Sequence, residues 1–223
     1  MPQKILPYQW YALILRDEAP SFSDLDNNIS EEDLWQIGRD NGVLALTNHK
    51  LVNSATLASL PQTYRERLQK YSLNAAATDL GQDHELQKGL SLFTNAVIPF
   101  LLMKGTPLAY THYPQPYLRS RCDTDILFNN KDDAEKASNL LETLGYQRPN
   151  VVSGEFVSHE FSCHKTDKLG VGHTLDMHWK LSNAQRFARA FTFTELADSS
   201  TPITELGDHV YALGPVHALL LAC

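Results

Sequence analysis

The sequence predicts an α+β fold, in which a mixed β-sheet is flanked by helices and preceded by a helical N-terminal region. The first ninety-odd residues carry helix-like patterns, and residues 97–103 then form a short continuous apolar run that is typical of a buried strand. Strand-like and helix-like segments alternate after that run. We therefore expect a helical region at residues 1–95, a sheet-containing domain at 96–214 and the start of a helix at 215–223.

The N-terminal region contains clear helix signals. Ser30 precedes three acidic residues, which suits a helix N-cap and first turn, so we predict a helix within residues 28–41 that ends at Gly42. Residues 61–94 predict one long helix or two. Gly81 marks a potential break there, because glycine weakens the interior of a helix.

The sheet-containing region alternates strand and helix patterns. A glycine turn follows the first strand, and two later strands flank a polar turn at residues 165–168, which predicts an antiparallel hairpin. The remaining elements are predicted as a short helix at 108–113, a strand at 119–128, an amphipathic helix at 131–144 ending at Gly145, hairpin strands at 156–163 and 171–181, a short helix at 185–191, one or two short strands within 201–213, and a helix from Pro215.

Composition excludes several classes of protein. The net charge of −7 disfavours a general nucleic-acid-coating protein, which would be basic. Three cysteines without a CxxC pair argue against a disulfide framework and favour a reducing cytoplasm. The N-terminus lacks the apolar core of a signal peptide, and no apolar stretch is long enough to span a membrane. Because the chain stops inside an apolar helix pattern, we expect that a C-terminal part of the natural protein is missing.

Two carboxylates lie at the edge of the strand predicted at residues 119–128. Asp123 and Asp125 are two residues apart, so on a strand they share a face and repel each other unless a cation or a shared proton lies between them. Mg²⁺ prefers such oxygen ligands. The alternative is a polar turn at a strand end. The apolar residues 126–128 and the preceding Arg119 and Arg121, which could bind phosphates, favour a site.

Two further segments fit a metal–phosphate site. Asp176 lies in a later strand as a third carboxylate, and His178 shares its face. Lys104, Gly105 and Thr106 follow the first buried strand, where backbone N–H groups and a helix N-terminus form a phosphate cradle. The alternatives are a solvated strand aspartate, a structural histidine and a simple strand-to-helix turn.

These pieces, in this order, resemble the nucleotidyltransferase superfamily of the polymerase-β type. The similarity is closer to a family described only as uncharacterised nucleotidyltransferases, whose members look like L-K-G-x-x-L-A, then R-x-x-x-D-x-D-h-L, then D-h-H-W. The matching segments here are residues 102–109, 119–127 and 176–179, and the similarity spans about residues 93–181. Gly105-Thr106 stands where the superfamily usually has Gly-Gly or Gly-Ser.

The resemblance implies a nucleotidyltransferase-like sheet and a set of site residues. Asp123 and Asp125 would hold Mg²⁺, with Mn²⁺ as a possible substitute, and the nucleoside triphosphate. Asp176 would assist a second metal ion and activate the acceptor hydroxyl. The nucleotide-binding residues that it implies are Lys104, Gly105, Thr106, Arg119 and His178.

Three functions follow as hypotheses. The first is metal-dependent transfer of a nucleoside monophosphate from a triphosphate such as ATP to an acceptor hydroxyl. The net negative charge favours a small-molecule or protein acceptor over long nucleic acid. We expect no membrane partner. The second is a catalytically silent nucleotide-binding or regulatory module with the same fold, for example a toxin–antitoxin component. The third is a zinc protein, although the spacings of its candidate ligands match no zinc motif: His159, Cys163, His164, His173 and His178.

Overall fold

The computed structural model describes residues 4–52, 54–149, 159–182, 188 and 190–222. These residues confirm the predicted α+β fold, with N-terminal helices and a mixed sheet flanked by helices. The chain divides into two compact units, one formed by residues 1–79 and 113–120, the other by residues 80–112 and 121–223. The boundaries expected at residues 95 and 214 stay predictions.

The first unit is helical and has its own apolar core. Ser30 caps a helix as predicted, because its hydroxyl accepts the Asp33 N–H at 3.1 Å while the Asp33 carboxylate accepts the Ser30 N–H at 3.0 Å. Gly42 follows that helix with φ of +64°, a conformation that glycine adopts without strain. The helices of this unit are α1 (Pro7–Leu15), α2 (Glu31–Asp40), α3 (Leu44–Leu51), α4 (Thr56–Ser59) and the beginning of α5 (Gln62–Asn95).

Helix α5 is continuous from Gln62 to Asn95, so of the two alternatives predicted for this segment the single long helix is present, without the potential break at Gly81. Gly81 is exposed, and a side chain added there would meet nothing within 4 Å. The glycine therefore costs only the helix propensity of one residue, about 1 kcal/mol, which is too little to interrupt a helix anchored by packing. Residues of α5 up to 79 belong to the first unit and those from 80 to the second.

The second unit contains a mixed sheet with strand order β3-β4-β2-β1-β6-β5. The pair β2–β4 and the pair β1–β6 are parallel, whereas β1–β2, β3–β4 and β5–β6 are antiparallel. Its elements are β1 (Phe100–Met103), α6 (Gly105–His112), β2 (Thr124–Phe128), α7 (Lys131–Glu142), β3 (Glu160–Thr166), β4 (Gly172–His178), α8 (Phe193–Asp198), β5 (Thr201–Pro202), β6 (Tyr211–Ala212) and α9 (Pro215–Ala222).

The two faces of this sheet differ in character because side chains alternate along each strand. One face packs against α5 and α7 and forms the main core, which includes Phe93, Leu102, Ile126, Ala137 and Met177. The other face is apolar at the side of β1 and α8, where a smaller cluster includes Leu101, Met103, Leu127, Leu196 and Leu213. Polar side chains occupy the rest of that second face, along β2 and β4.

Most predicted elements are present with shifted ends. The predicted hairpin is confirmed as β3 and β4, whose turn is held by the Asp167 carboxylate accepting the N–H groups of Leu169 and Val171 at 2.8 and 2.9 Å. The strand predicted from residue 119 was wrong at its start, because Pro116–Leu118 forms a 3-10 turn and β2 begins only at Thr124. Most of the helix predicted at 185–191 lies outside the described residues.

Helix α6 begins at Gly105, three residues before its predicted start, and α7 ends at Glu142, shortly before Gly145. Short strands flank residues 207–208, as predicted. In the described part of the chain, no helix has the length and apolar character needed to cross a lipid bilayer.

Candidate metal centre

The register of β2 and β4 brings two carboxylates side by side. Asp125 pairs with Asp176 in this parallel ladder, so both side chains lie on the same face of the sheet. His178 lies two residues beyond Asp176 on that face. Ligand atoms of these three residues all lie within 4.8 Å of one another, which is compact enough to hold one metal ion.

His178 is buried between two carboxylates. Its Nε2 lies 2.9 Å from Oδ1 of Asp125, and its Nδ1 lies 2.8 Å from Oε2 of Glu160, the first residue of β3. Glu160 reaches the ring because it pairs with His178 in the antiparallel register of β3 and β4. Sequence reasoning missed Glu160, because no local motif reveals which residue of another strand will stand opposite His178.

Lys104 also converges on Asp125. It follows β1, whose last residue Met103 pairs with Asp125, and its backbone has a left-handed φ of +57°. From there its ammonium group donates to Oδ1 of Asp125 at 2.5 Å. Burial acts to raise the pKa of Asp125, but the hydrogen bonds from His178 and Lys104 outweigh it, and the pKa lies below its ordinary value. Asp125 is therefore held as a carboxylate.

Asp123 is exposed and stands one residue before β2. Desolvation raises the pKa of Asp123, and the nearby charges of Asp125 and Asp176 raise it further, although Lys104 opposes them. Asp123 is thus close enough to the other carboxylates to sense their charge, but it lies outside the trio formed by Asp125, Asp176 and His178. Such a concentration of negative charge favours a bound cation.

The atoms of this site fit a divalent cation. Oδ1 of Asp176 is buried and accepts no hydrogen bond from any residue that the structure describes. A buried carboxylate oxygen without a partner is costly, and a metal ion would satisfy it. Asp125 supplies a second, ionised carboxylate beside it, and His178 supplies a ring nitrogen. Oxygen and nitrogen donors of this kind are normal ligands of divalent metal ions.

The glycine turn has an unexpected feature. Gly105 begins α6 directly after Lys104, as a phosphate cradle requires. The Thr106 side chain, however, is fully buried, and its hydroxyl shares a hydrogen bond of 2.9 Å with the hydroxyl of Thr124 in β2. It also lies 3.5 Å from the carbonyl oxygen of Asp123. Thr106 thus joins the turn to the strand that carries the carboxylates.

The two arginines that precede Asp123 in the sequence have different surroundings. Arg119 belongs to the first unit, where it ends the 3-10 turn Pro116–Leu118. Arg121 belongs to the second unit, and its guanidinium pairs with Asp83 at 3.1 Å and lies over the ring of Tyr110. Its side chain is only 6% exposed. The structure therefore gives Arg121 partners within the protein, where the sequence suggested a phosphate contact.

The zinc hypothesis gains no support from the structure. Cys163 is buried against Ser138 on the core face of the sheet, and His173 contacts Asp167 at 3.3 Å. His173 and His178 lie on opposite faces of β4, as strand alternation predicts. In the described ranges, the histidines and cysteines named for zinc do not gather into a shared group of ligands.

The fold and site define a class of protein with a candidate carboxylate metal site on a mixed sheet, next to a glycine turn that leads into a helix. Residues 27–223 match the family described as uncharacterised nucleotidyltransferase. The match covers most of the chain, which therefore belongs to this family, and the suspected resemblance is confirmed. The family implies a nucleotide as the class of substrate. No curated protein matches the chain.

Proposed function

We propose that this protein transfers a nucleoside monophosphate from a nucleoside triphosphate to an acceptor hydroxyl, with Mg²⁺ as its cofactor and Mn²⁺ able to replace it. The observation that carries this proposal is the side-by-side pair Asp125 and Asp176, with Lys104 and His178 beside it. In a chain of a nucleotidyltransferase family, such a pair is best explained as the site that holds a metal–triphosphate complex.

The proposed reaction balances as a simple substitution at phosphorus. The acceptor oxygen forms a bond to the α-phosphorus, and the bond from that phosphorus to the bridging oxygen of the β-phosphate breaks. Pyrophosphate leaves with the bonding electron pair, and the hydroxyl proton passes to a base. A bound divalent cation would neutralise part of the triphosphate charge. Asp123, Asp125 and Asp176 would hold it.

The protein's own groups position the substrates. Asp176 is the proposed proton acceptor for the hydroxyl, since its buried Oδ1 accepts no hydrogen bond from the residues that the structure describes. Lys104 supplies positive charge, and the N-terminal turn of α6, which begins at Gly105, supplies backbone N–H groups for phosphate oxygens. The backbone of Thr106 and the ring of His178 complete the nucleotide-binding set proposed for the second unit.

Only the net charge of the chain indicates the chemical class of the acceptor. Because the chain carries a net charge of −7, a small molecule or a protein is favoured over a long polyanion such as a nucleic acid. ATP is the donor to be tested first, followed by the other triphosphates.

The first experiment measures thermal stability with Mg²⁺ and ATP. We expect the ligands to raise the melting temperature of the wild type, since a ligand that binds only the folded state stabilises it. Asp123→Ala/Asp125→Ala should lose that shift. A matched double variant, Asp132→Ala/Asp208→Ala, removes two exposed carboxylates from the same unit and should keep it. A wild-type shift in the first variant would show that the site assignment is wrong.

The second experiment separates turnover from silent binding. The protein is incubated with α-labelled triphosphates and libraries of small-molecule and protein acceptors. Transfer of label that depends on Asp176 supports the enzyme. Nucleotide binding that persists without any transfer would favour the regulatory module.

A further inference from the structure

We infer that His178 is itself a ligand of the bound cation, that Glu160 positions its ring, and that this nitrogen shifts the site toward first-row transition ions such as Mn²⁺ and away from Mg²⁺. The inference rests on the proposed function, because it names the metal class of the same site. It goes beyond a purely carboxylate site by adding one nitrogen ligand and one positioning residue, Glu160.

The separation of the donor atoms supports this ligand set. Nε2 of His178 lies 2.9 Å from Oδ1 of Asp125, and one ligand atom from each of Asp125, Asp176 and His178 lies within 4.8 Å of the other two. Neighbouring ligands of an octahedral ion with bonds of about 2.1 Å stand about 3 Å apart. The imidazole and the carboxylate therefore already have the spacing of two adjacent ligands on one ion.

Glu160 determines which ring nitrogen faces the cation. An ionised carboxylate only accepts hydrogen bonds, so Nδ1 of His178 donates to Oε2 of Glu160 across 2.8 Å, and Nε2 donates to Oδ1 of Asp125 across 2.9 Å until a cation takes the place of that second proton. The bond to Glu160 thus holds the ring with Nε2 toward Asp125. Metal-ligating histidines commonly donate their second N–H to a carboxylate, which fixes the ring and increases its basicity.

Two independent observations indicate that this position attracts a cation. Oδ1 of Asp176 is buried and, in the described part of the chain, receives no hydrogen bond. Oδ1 of Asp125 already receives the ammonium group of Lys104 at 2.5 Å. The unpaired oxygen of Asp176 and the ion pair of Asp125 with Lys104 both show that negative charge is concentrated here, and such a position favours a bound cation.

The chemistry of the donors then selects the metal. Mg²⁺ takes oxygen ligands and keeps several waters, whereas imidazole is a good ligand for ions of the first transition series. His178 is 4% exposed and its Nδ1 is held by Glu160, so the ring cannot easily turn away to leave an all-oxygen site. The fixed nitrogen therefore penalises Mg²⁺ relative to Mn²⁺.

The test uses the whole chain with Mn²⁺ alone, without nucleotide. Electron spin-echo spectroscopy detects the nitrogen of a directly bound imidazole, and titration followed by Mg²⁺ competition gives both affinities. We expect a nitrogen signal in the wild type that His178→Gln removes, with Mn²⁺ affinity about tenfold weaker. Glu160→Gln should keep the nitrogen signal and weaken Mn²⁺ binding about tenfold, as a positioning residue would.

His164→Gln is the matched control, because His164 lies on the same sheet face in β3 and bonds to Thr174 at 3.0 Å. It should change neither the signal nor the ratio of the two affinities. A wild-type spectrum without nitrogen coupling, or a His178→Gln protein that keeps the same Mn²⁺ to Mg²⁺ ratio, would overturn the inference. If His178→Gln does not fold, the wild-type spectrum and Glu160→Gln decide the question. These measurements need no nucleotide. Metal binding through His178 can therefore be confirmed even if no nucleotidyl transfer is found, and it can be refuted even if transfer occurs.

Discussion

Lys104 contacts Asp125 from a left-handed backbone: the ammonium lies 2.5 Å from Oδ1 while φ of Lys104 is +57°. Residues other than glycine pay about 1–2 kcal/mol for this conformation. Strained backbone is often retained where it directs a functional side chain. Here it lets a residue that follows β1 place its charge on the carboxylate opposite Met103.

This strain gives the first prediction. Lys104→Gly should be more stable than Lys104→Ala by about 1 kcal/mol, because both remove the ion pair but only alanine retains the left-handed cost. Urea unfolding of the two variants measures the difference. The same pair of substitutions at Lys136, inside helix α7, is the control, and there alanine should be the more stable by about 1 kcal/mol. If Lys104→Ala were as stable as Lys104→Gly, or more stable, the prediction would be contradicted.

The second prediction concerns the contact of α1 with α2 in the first unit. A methyl group on Gly38 would lie 2.2 Å from Oη of Tyr11. That hydroxyl is buried and fixed, since it donates to the carbonyl of Leu34 at 2.9 Å and bonds to the Tyr64 hydroxyl at 2.7 Å. Gly38→Ala should therefore destabilise the protein by about 1–3 kcal/mol, the usual cost of overpacking. Thermal and urea unfolding both measure it.

A second glycine provides the control for Gly38. Gly81 lies in α5, where an added methyl group meets nothing within 4 Å. Gly81→Ala should stabilise the protein by up to about 1 kcal/mol through helix propensity alone. If both alanine variants shifted stability in the same direction, the close packing of Gly38 against Tyr11 would be refuted.

The candidate site shows which features could be predicted from sequence. Asp125, Asp176 and His178 were found because alternation along a strand is a local rule, and the buried run around Leu102 identified β1 for the same reason. Glu160 could not be found, because its contact with His178 depends on a register set by a hairpin turn and by core packing.

Contacts between residues distant in sequence could not be predicted from the sequence either. Arg121 pairs with Asp83, which is 38 residues away in α5, and its charge therefore serves a contact within the second unit. The start of β2 was misplaced because the alternation from Arg119 was interpreted as a strand, although Pro116 favours the 3-10 turn that the chain forms there. Long-range packing determined the partner of Arg121, and local turn chemistry at Pro116 determined the start of β2; hydrophobic periodicity reports neither.

The third prediction is a pH dependence of stability set by Glu85. This carboxylate of α5 is buried and bonds to Lys165 of β3 and to Lys88. Burial acts to raise the pKa of Glu85, but the hydrogen bonds and charges of the two lysines outweigh it and lower the pKa. A group whose pKa is lower in the folded state stabilises fully above its unfolded pKa, near 4.3, and loses that contribution as pH falls through the folded value.

Glu85→Gln should therefore cost about 1–3 kcal/mol at pH 7, because it removes charge-assisted hydrogen bonds from a buried position. The deficit relative to the wild type should be constant between pH 6 and 7 and shrink below about pH 4, where the wild-type carboxylate itself becomes protonated. Urea unfolding across this range measures it. Glu142→Gln, at an exposed position of α7, is the control and should show a small difference at every pH. A Glu85→Gln deficit that persisted unchanged to pH 3 would show that lost packing, and not the charge of Glu85, causes it.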